Sequence, residues 1–285
     1  MKEAKGLIHS IQDTARWAAV FRARESSRHD ALFRDPLAER LAGPVGFRIA
    51  DEIPGGNANT WAWVTRTYLF DQVIAARIAS GVDLVIELAA GLSARAYRMD
   101  LPPRLRWVEV DLPDLVDYKE QLLANDKPLC HLERVRLDLA NQAERRDLFG
   151  RLAGECRNAL IISEGLLVYL PPLEVGKLAD DLASTAHFDG WVMDLVSPGL
   201  LAILARRLGP HLSGSGARFQ FGPAEGPAFF EPHGWKPAEI HSMLRTAARA
   251  KRLPPLMRLI SLLPERPVGD FGSRPWSGVV LFQRT

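Results

Sequence analysis

The sequence predicts an α/β fold, a mainly parallel sheet with helices on both faces, and three observations predict it. From Leu84 to Val196 short apolar runs alternate with helix-spaced segments, the order that builds parallel strands joined by helical crossovers. The runs LVIEL and NALIIS are apolar almost throughout rather than at every second residue, as strands buried on both sides are. Between Leu84 and Asp111 a strand, a turn of small residues (Ala89, Ala90, Gly91), a helix start and a second strand ending in an acid follow one another, which forms a crevice at the carboxyl edge of such a sheet.

The elements follow in order. Residues 14–43 carry helical apolar spacing through Ala18, Val20 and Phe21 and again at Leu37 and Leu41, with Asp35-Pro36 placed to start a helix, so residues 1–60 read as a helical N-terminal cap. Gly55-Gly56-Asn57 predicts a turn. Trp61, Val64, Leu69, Val73, Ile74 and Ile78 then repeat at helical intervals as far as Gly81, and this helix feeds LVIEL. RWVEV, a helix over PDLVDYKEQLLAN, the strand in HLERVRLDL, a helix around Glu144 to Leu152, NALIIS, a helix over PLEVGKLADDLAS and the strand GWVMDLV complete the alternation. Residues 197–232, rich in Gly, Pro and Phe with a basic apolar helix at Leu200 to Leu208, interrupt it and read as a lid or substrate-facing insertion. GWKPAEIHSMLRTAAR predicts a further helix and WSGVVLFQR a last strand, within one domain spanning 1–285.

Composition narrows the function. The 36 basic and 34 acidic residues give a net charge of +2, no general attraction for nucleic acid or anionic lipid. Cys130 and Cys156 are the only cysteines, without the spacing of a zinc or redox motif, and a reducing cytoplasm fits them. No stretch of about 18 apolar residues predicts a membrane span, and no signal-peptide core precedes the first helix. The expected partner is a small molecule, not nucleic acid or membrane.

Two charged residues need a reason. Glu87 sits where the first strand leaves the sheet, and Asp111 follows Gly91 by 20 residues, the separation at which a carboxylate accepts both hydroxyls of a ribose. A nicotinamide dinucleotide would rest its pyrophosphate on G-x-G-x-x-G, but Ala89, Gly91 and Ala94 stand there and Glu87 would repel the phosphates. S-adenosylmethionine carries an ammonium and a sulfonium and no phosphate, and the charge pattern favours it. Capping or an internal ion pair is the competing account of Glu87, as an ordinary helix entry is of Asp111.

ELAAGLSARAYRM, WVEVDLPDLVDYKEQLL and LIISEGLLVYLPP, supported by TARWAAVFRARESSRHDALFRDPLAERLAG and VTRTYLFDQ, resemble the leucine carboxyl methyltransferase family, including bacterial members related to polyketide O-methyltransferases. The resemblance runs from about residue 14 to 195. It implies a Rossmann-like class I methyltransferase fold with a seven-stranded sheet, and S-adenosylmethionine as cofactor. It places Arg66, and Arg24 with Arg22 as its rival, at the cofactor's carboxylate, and the glycine loop at Ala89 to Gly91. The ribose acid falls on Asp111 with Leu112 beside it, the adenine contact on Asp138 and Leu139, and the group facing the amino end on Glu164.

The chain departs from the family at Ala89, where Gly is usual, and at Ser93, where Asp is usual. A methyl group at Ala89 is expected to exclude a positive φ and add bulk beside the methionine moiety, and Ser93 can still cap the next helix. The implied chemistry is methylation of an oxygen on a small molecule, a hydroxyl or a carboxylate, with a polyketide-like metabolite one candidate. A protein C-terminal carboxylate and a non-catalytic cofactor-binding role are the alternatives. A phenol would benefit from a base, for which His233 is one candidate and a satisfied surface or core histidine the commoner outcome. Tyr169 is expected to pack under the loop. Phe219, Phe221, Phe229, Phe230 and Trp235 fit either an apolar acceptor pocket or a core, and Arg206, Arg207 and Arg218 either an acidic acceptor or a solvated face.

Overall fold

The computed structural model describes residues 8–53, 59–212, 214, 216–264 and 274–285. The turn expected at Gly55-Gly56-Asn57 lies outside the described residues. Helices α1 (Ile11–Ser26), α2 (Ala38–Glu52) and α3 (Thr60–Ala79) precede β1 (Leu84–Leu88). Then come α4 (Arg95–Arg98), β2 (Arg106–Asp111), α5 (Pro113–Leu122), β3 (His131–Arg136), α6 (Gln142–Ala153) and β4 (Ala159–Ser163). After α7 (Pro172–Ala183) and β5 (Phe188–Val196) follow α8 (Pro198–Leu212), β6 (Trp235–Ser242), α9 (Met243–Arg249), α10 (Pro255–Ile260) and β7 (Ser277–Arg284).

Local chemistry fixes the ends. The Ser10 hydroxyl accepts from the Asp13 amide to open α1, and the Asn141 side chain accepts from Glu144 to open α6. Pro113 and Pro172 occupy the first turns of α5 and α7, where no amide hydrogen is needed.

The seven strands run in the order β3-β2-β1-β4-β5-β7-β6, with β1 to β5 parallel and β7 antiparallel to both of its neighbours. Every residue of β1 is buried, and alternate residues serve different layers. Leu84, Ile86 and Leu88 join Leu148, Leu178 and Trp191 on one face. Val85 joins Phe70, Ile74 and Trp107 on the other. A third cluster ties the cap to the crevice, packing Trp17, Phe21 and Leu41 on Leu92 and on Leu115 of α5. Chain order reverses between β1 and β4, the place where a cleft opens beyond the strand ends.

One predicted helix is half strand. In GWKPAEIHSMLRTAAR the residues Trp235–Ser242 form β6, an edge strand antiparallel to β7, and only Met243 onward is helical. Ile240, Met243, Leu244 and Ala247 do have helical spacing, but pairing with β7 outweighs it over the first half. Pro237 is tolerated because an edge strand leaves one row of amides unpaired, and an irregularity at Pro237/Glu239 absorbs the misfit. The Ser242 hydroxyl accepts from the Arg245 amide and starts the helix there.

Candidate active site at the carboxyl edge of the sheet

A cavity of about 1570 Å³ opens over the carboxyl ends of β1, β2, β4 and β5. Nine of the sequence-predicted residues line it together: Arg66, Glu87, Ala89, Gly91, Asp111, Leu112, Asp138, Leu139 and Glu164. Arg24 does not. It pairs with Asp51 at 2.6 Å on another face of α1, whereas Arg22 lines the cavity, held at 2.8 Å from Asp35 and bonded to the Leu92 carbonyl. Two residues along a helix turn a side chain by about 200°, so only one of the pair can face inward, and the choice of Arg24 over Arg22 is corrected.

Asp111 shapes the loop as well as facing the cavity. Its carboxylate accepts from the Gly91 amide at 2.6 Å and the Leu112 amide at 2.8 Å, which leaves each oxygen a further lone pair. Burial raises its pKa, partly offset by those two amides. The loop itself contradicts one expectation. Ala89 does adopt a positive φ, 51°, beside Gly91 at 53°, so the small-residue turn keeps a left-handed geometry and the methyl group strains it. The Ser93 hydroxyl lies 3.5 Å from the Arg95 amide, at the limit of a hydrogen bond, so the cap is marginal.

Beneath the loop lies an ion network that the sequence reading missed. Arg95, 3% exposed, reaches Asp71 and Glu87 at 2.8 Å and also Glu164. Arg66 continues the chain from Glu164 at 3.0 Å to Asp194 at 3.3 Å. Arg98 bonds Asp71 at 2.8 Å and lies 3.7 Å from Asp35, the partner of Arg22. Glu87, Glu164, Asp194, Asp71 and Asp35 thus face Arg95, Arg66, Arg98 and Arg22, with one negative charge in excess. Buried charges persist only when paired in this way. Glu87 also accepts from the Trp107 indole at 3.2 Å, so its internal ion-pair role and its place at the cavity hold together.

The network sorts the carboxylates. Burial works against ionising Glu164, but Arg95 and Arg66 overcome it and hold its pKa at about 2. Burial dominates at Glu87 and at Asp194 and raises both, despite Arg95 beside the first and Arg66 beside the second. Gly165 belongs to this geometry: its φ is +67°, its amide donates to Asp194 at 2.6 Å, and an added Cβ would stand 3.1 Å from the Arg66 guanidinium.

His233 is not at the site. It bonds Asp180 at 2.7 Å and sits over Gly176, where a Cβ would come within 2.9 Å of its ring, and it does not line the cavity. Tyr169 does line it, stacked on Phe219 at 5.3 Å, and burial lifts its phenol to about 12. Phe221, Phe230 and Trp235 are core residues, Phe230 and Trp235 packed on Trp191 and Phe221 on Phe230. Asp194 carried a readable signal, an acid inside the apolar run VMDLV, as Glu87 is in LVIEL. Arg95 and Asp71 became legible only when the fold brought α4 and α3 together.

Comparison with known proteins decides the family. Residues 15–183 match the leucine carboxyl methyltransferase family. The chain belongs to that family. A relative from Streptomyces coelicolor, named among the S-adenosyl-L-methionine-dependent methyltransferases, is 32% identical over 92% of this chain and 95% of its own length. One from Parafrankia, named in the same way, is 31% identical over 90% of this chain and 87% of its own. Among solved structures, a DUF574 family protein from Streptomyces avermitilis superposes with a TM-score of 0.61 at 14% identity, covering 95% of this chain and 97% of that one. A structure from Thermobifida fusca, described as a methyltransferase, gives 0.59 at 16%, covering 98% and 96%. At those identities the two structures speak for the fold alone, the class I methyltransferase sheet. This leucine carboxyl methyltransferase family member is a methyltransferase that uses S-adenosylmethionine.

Its residues fit that cofactor. The left-handed loop at Ala89 and Gly91 lines the cavity, Asp111 has lone pairs to spare for hydroxyl groups, and among the described residues the Asp138 carboxylate accepts from the Ala140 amide alone. The excess negative charge suits an ammonium group, and Arg66 suits a carboxylate.

Proposed function

We propose that this methyltransferase methylates an oxygen of a small molecule, with a carboxylate the favoured acceptor. The supporting observation is the absence of an idle base. Among the described residues every carboxylate lining the cavity already accepts a hydrogen bond or pairs with a cation: Glu87, Asp111, Asp138, Glu164, Glu174 and Asp194. Among the described residues no histidine lines it, and the Tyr169 phenol, at about 12, stays protonated near neutrality. A hydroxyl acceptor would need a proton removed, whereas a carboxylate is ionised at neutral pH.

The bound cofactor supplies an electrophilic methyl group whose carbon–sulfur bond breaks as the acceptor oxygen bonds to carbon. The protein's part is to orient and to exclude water. In this reading Arg66 and Arg22 hold the cofactor's carboxylate, Glu164 its ammonium, Asp111 and Leu112 the ribose, and Asp138 and Leu139 the adenine. Residues 197–232 act as a lid over one domain, residues 1–60 as its cap, and the cytoplasm is the compartment. No helix among the described residues is long and apolar enough to cross a membrane.

Walls on several sides, from Thr14 and Ala18 of α1 to Leu204 of α8 and Met257 of α10, favour a small molecule over a polypeptide tail. The test is methyl-labelled cofactor with a panel of aliphatic and aromatic acids, phenols, and a peptide ending in leucine. Base-labile label on the small acids supports the reading. Label confined to the phenols, or to the peptide, contradicts it.

A further inference from the structure

The cavity, about 1570 Å³, exceeds the roughly 300–1,000 Å³ that one drug-sized ligand site occupies. Its wall also changes character. Where the sheet ends line it, acids and paired arginines predominate. Where α8, α9, α10 and the approach to β7 line it, the side chains are largely apolar, and among the described residues none is acidic. Leu200, Ile203 and Leu204 come from α8, and Met257 and Ile260 from α10. The apolar wall runs on out to solvent, since Leu256 and Leu263 line the cavity and are 70% and 64% exposed. A continuous exposed apolar surface of this kind marks a place where something apolar binds.

Two cations are set into that wall. Arg207 on α8 and Arg274 ahead of β7 both line the cavity, and neither guanidinium is paired with a described residue. The arginines at the sheet end are committed: Arg22 to Asp35, Arg66 to Glu164 and Asp194, Arg95 to three carboxylates. An apolar surface bearing uncommitted cations and no acid attracts an apolar body carrying an anion and rejects a polar or cationic one.

We infer that the methyl acceptor is an anionic amphiphile, an acid with an extended apolar body, captured along α8 and α10 and drawn in by Arg207 and Arg274. The inference rests on the small-molecule O-methylation reading only for the ligand's role as acceptor. If its acid is the group methylated, carboxylate oxygen bonds to the methyl carbon and the carbon–sulfur electron pair returns to sulfur. The product is then a neutral ester that the two arginines no longer hold.

The probe is parinaric acid, a fluorescent eighteen-carbon carboxylic acid, titrated into the protein with and without S-adenosylhomocysteine. Binding in the micromolar range is expected, weakened about tenfold by Leu204→Gln or, should that variant unfold, by Ile260→Asp. Leu262→Gln, 78% exposed and outside the cavity wall, should leave it unchanged. Arg207→Gln should weaken the acid several-fold and leave its methyl ester unaffected. No binding, or equal losses for Leu204→Gln and Leu262→Gln, overturns the inference. S-Adenosylhomocysteine binding and labelled-product formation are scored separately. Parinaric acid that binds but is never methylated, while a phenol is, counts against a carboxylate as the methylated group and leaves the amphiphile site standing.

Discussion

The two ends of the cavity are built on opposite principles. The sheet end is crowded with charge: buried carboxylates and guanidinium groups tie α1, α3, α4, β1 and the ends of β4 and β5 into one network. The α8–α10 end is apolar, partly open, and carries cations without partners among the described residues. A network of ions has one satisfied geometry, so it can preorganise a ligand of fixed shape and charge. An apolar wall excludes water and tolerates variety in what it touches.

The contrast can be broken most forcefully at Arg95. Arg95→Met leaves Glu87 without its cation and takes one of two guanidinium partners from both Asp71 and Glu164, and should lower unfolding stability by about 3–5 kcal/mol, read from urea denaturation, while Leu204→Gln at the other end costs far less. A small loss at Arg95 would mean that the network is a bystander. Next is pH. Glu164 has a folded pKa held down to about 2, so its contribution is complete above the ordinary value of 4.5 and is lost as pH falls from there toward 2. The melting-temperature gap between wild type and Glu164→Gln should be widest above pH 5 and should shrink toward pH 3. A gap that does not change with pH would detach Glu164 from the arginines.

Arg66→Ala should weaken S-adenosylhomocysteine binding by about 10- to 100-fold, the worth of a lost charge-assisted hydrogen bond of roughly 1.5–3 kcal/mol. Arg22→Ala should also weaken it and Arg24→Ala should not, and calorimetry showing the reverse order would restore Arg24. The smallest effect is at the loop. Ala89→Gly relieves a non-glycine residue at φ 51° and should stabilise the fold by about 1 kcal/mol, with equal or tighter cofactor binding. A large loss of binding would show that the methyl group contacts the ligand.

How much was legible in the sequence follows the same division. Strands β1, β2, β4, β5 and β7 announced themselves because burial on both faces demands apolar runs, and Glu87 and Asp111 stood out against that background. Arg22 and Arg24 could not be separated by spacing from Asp35, since the deciding fact is helix rotation against Leu92. Asp71 and Arg95 are far apart in the chain and ordinary in their own segments, and only tertiary packing makes them partners. β6 was misread because Ile240, Met243 and Ala247 carry a helical period that its edge position against β7 overrides. At the α8–α10 end Phe221, Phe230 and Trp235 went to the core while Phe219 and Arg207 went to the cavity, a sorting that composition does not encode.

The most direct test is a crystal structure with S-adenosylhomocysteine. The expected density lies over β1, β2 and β4, with the ribose hydroxyls on Asp111, the adenine beside Asp138, the amino-acid tail between Arg66 and Glu164, and the α8–α10 end left free for acceptor. Density for the nucleoside along α8 and α10, with Arg66 still closed on Glu164 and Asp194 and no ligand at Asp111, would contradict the account.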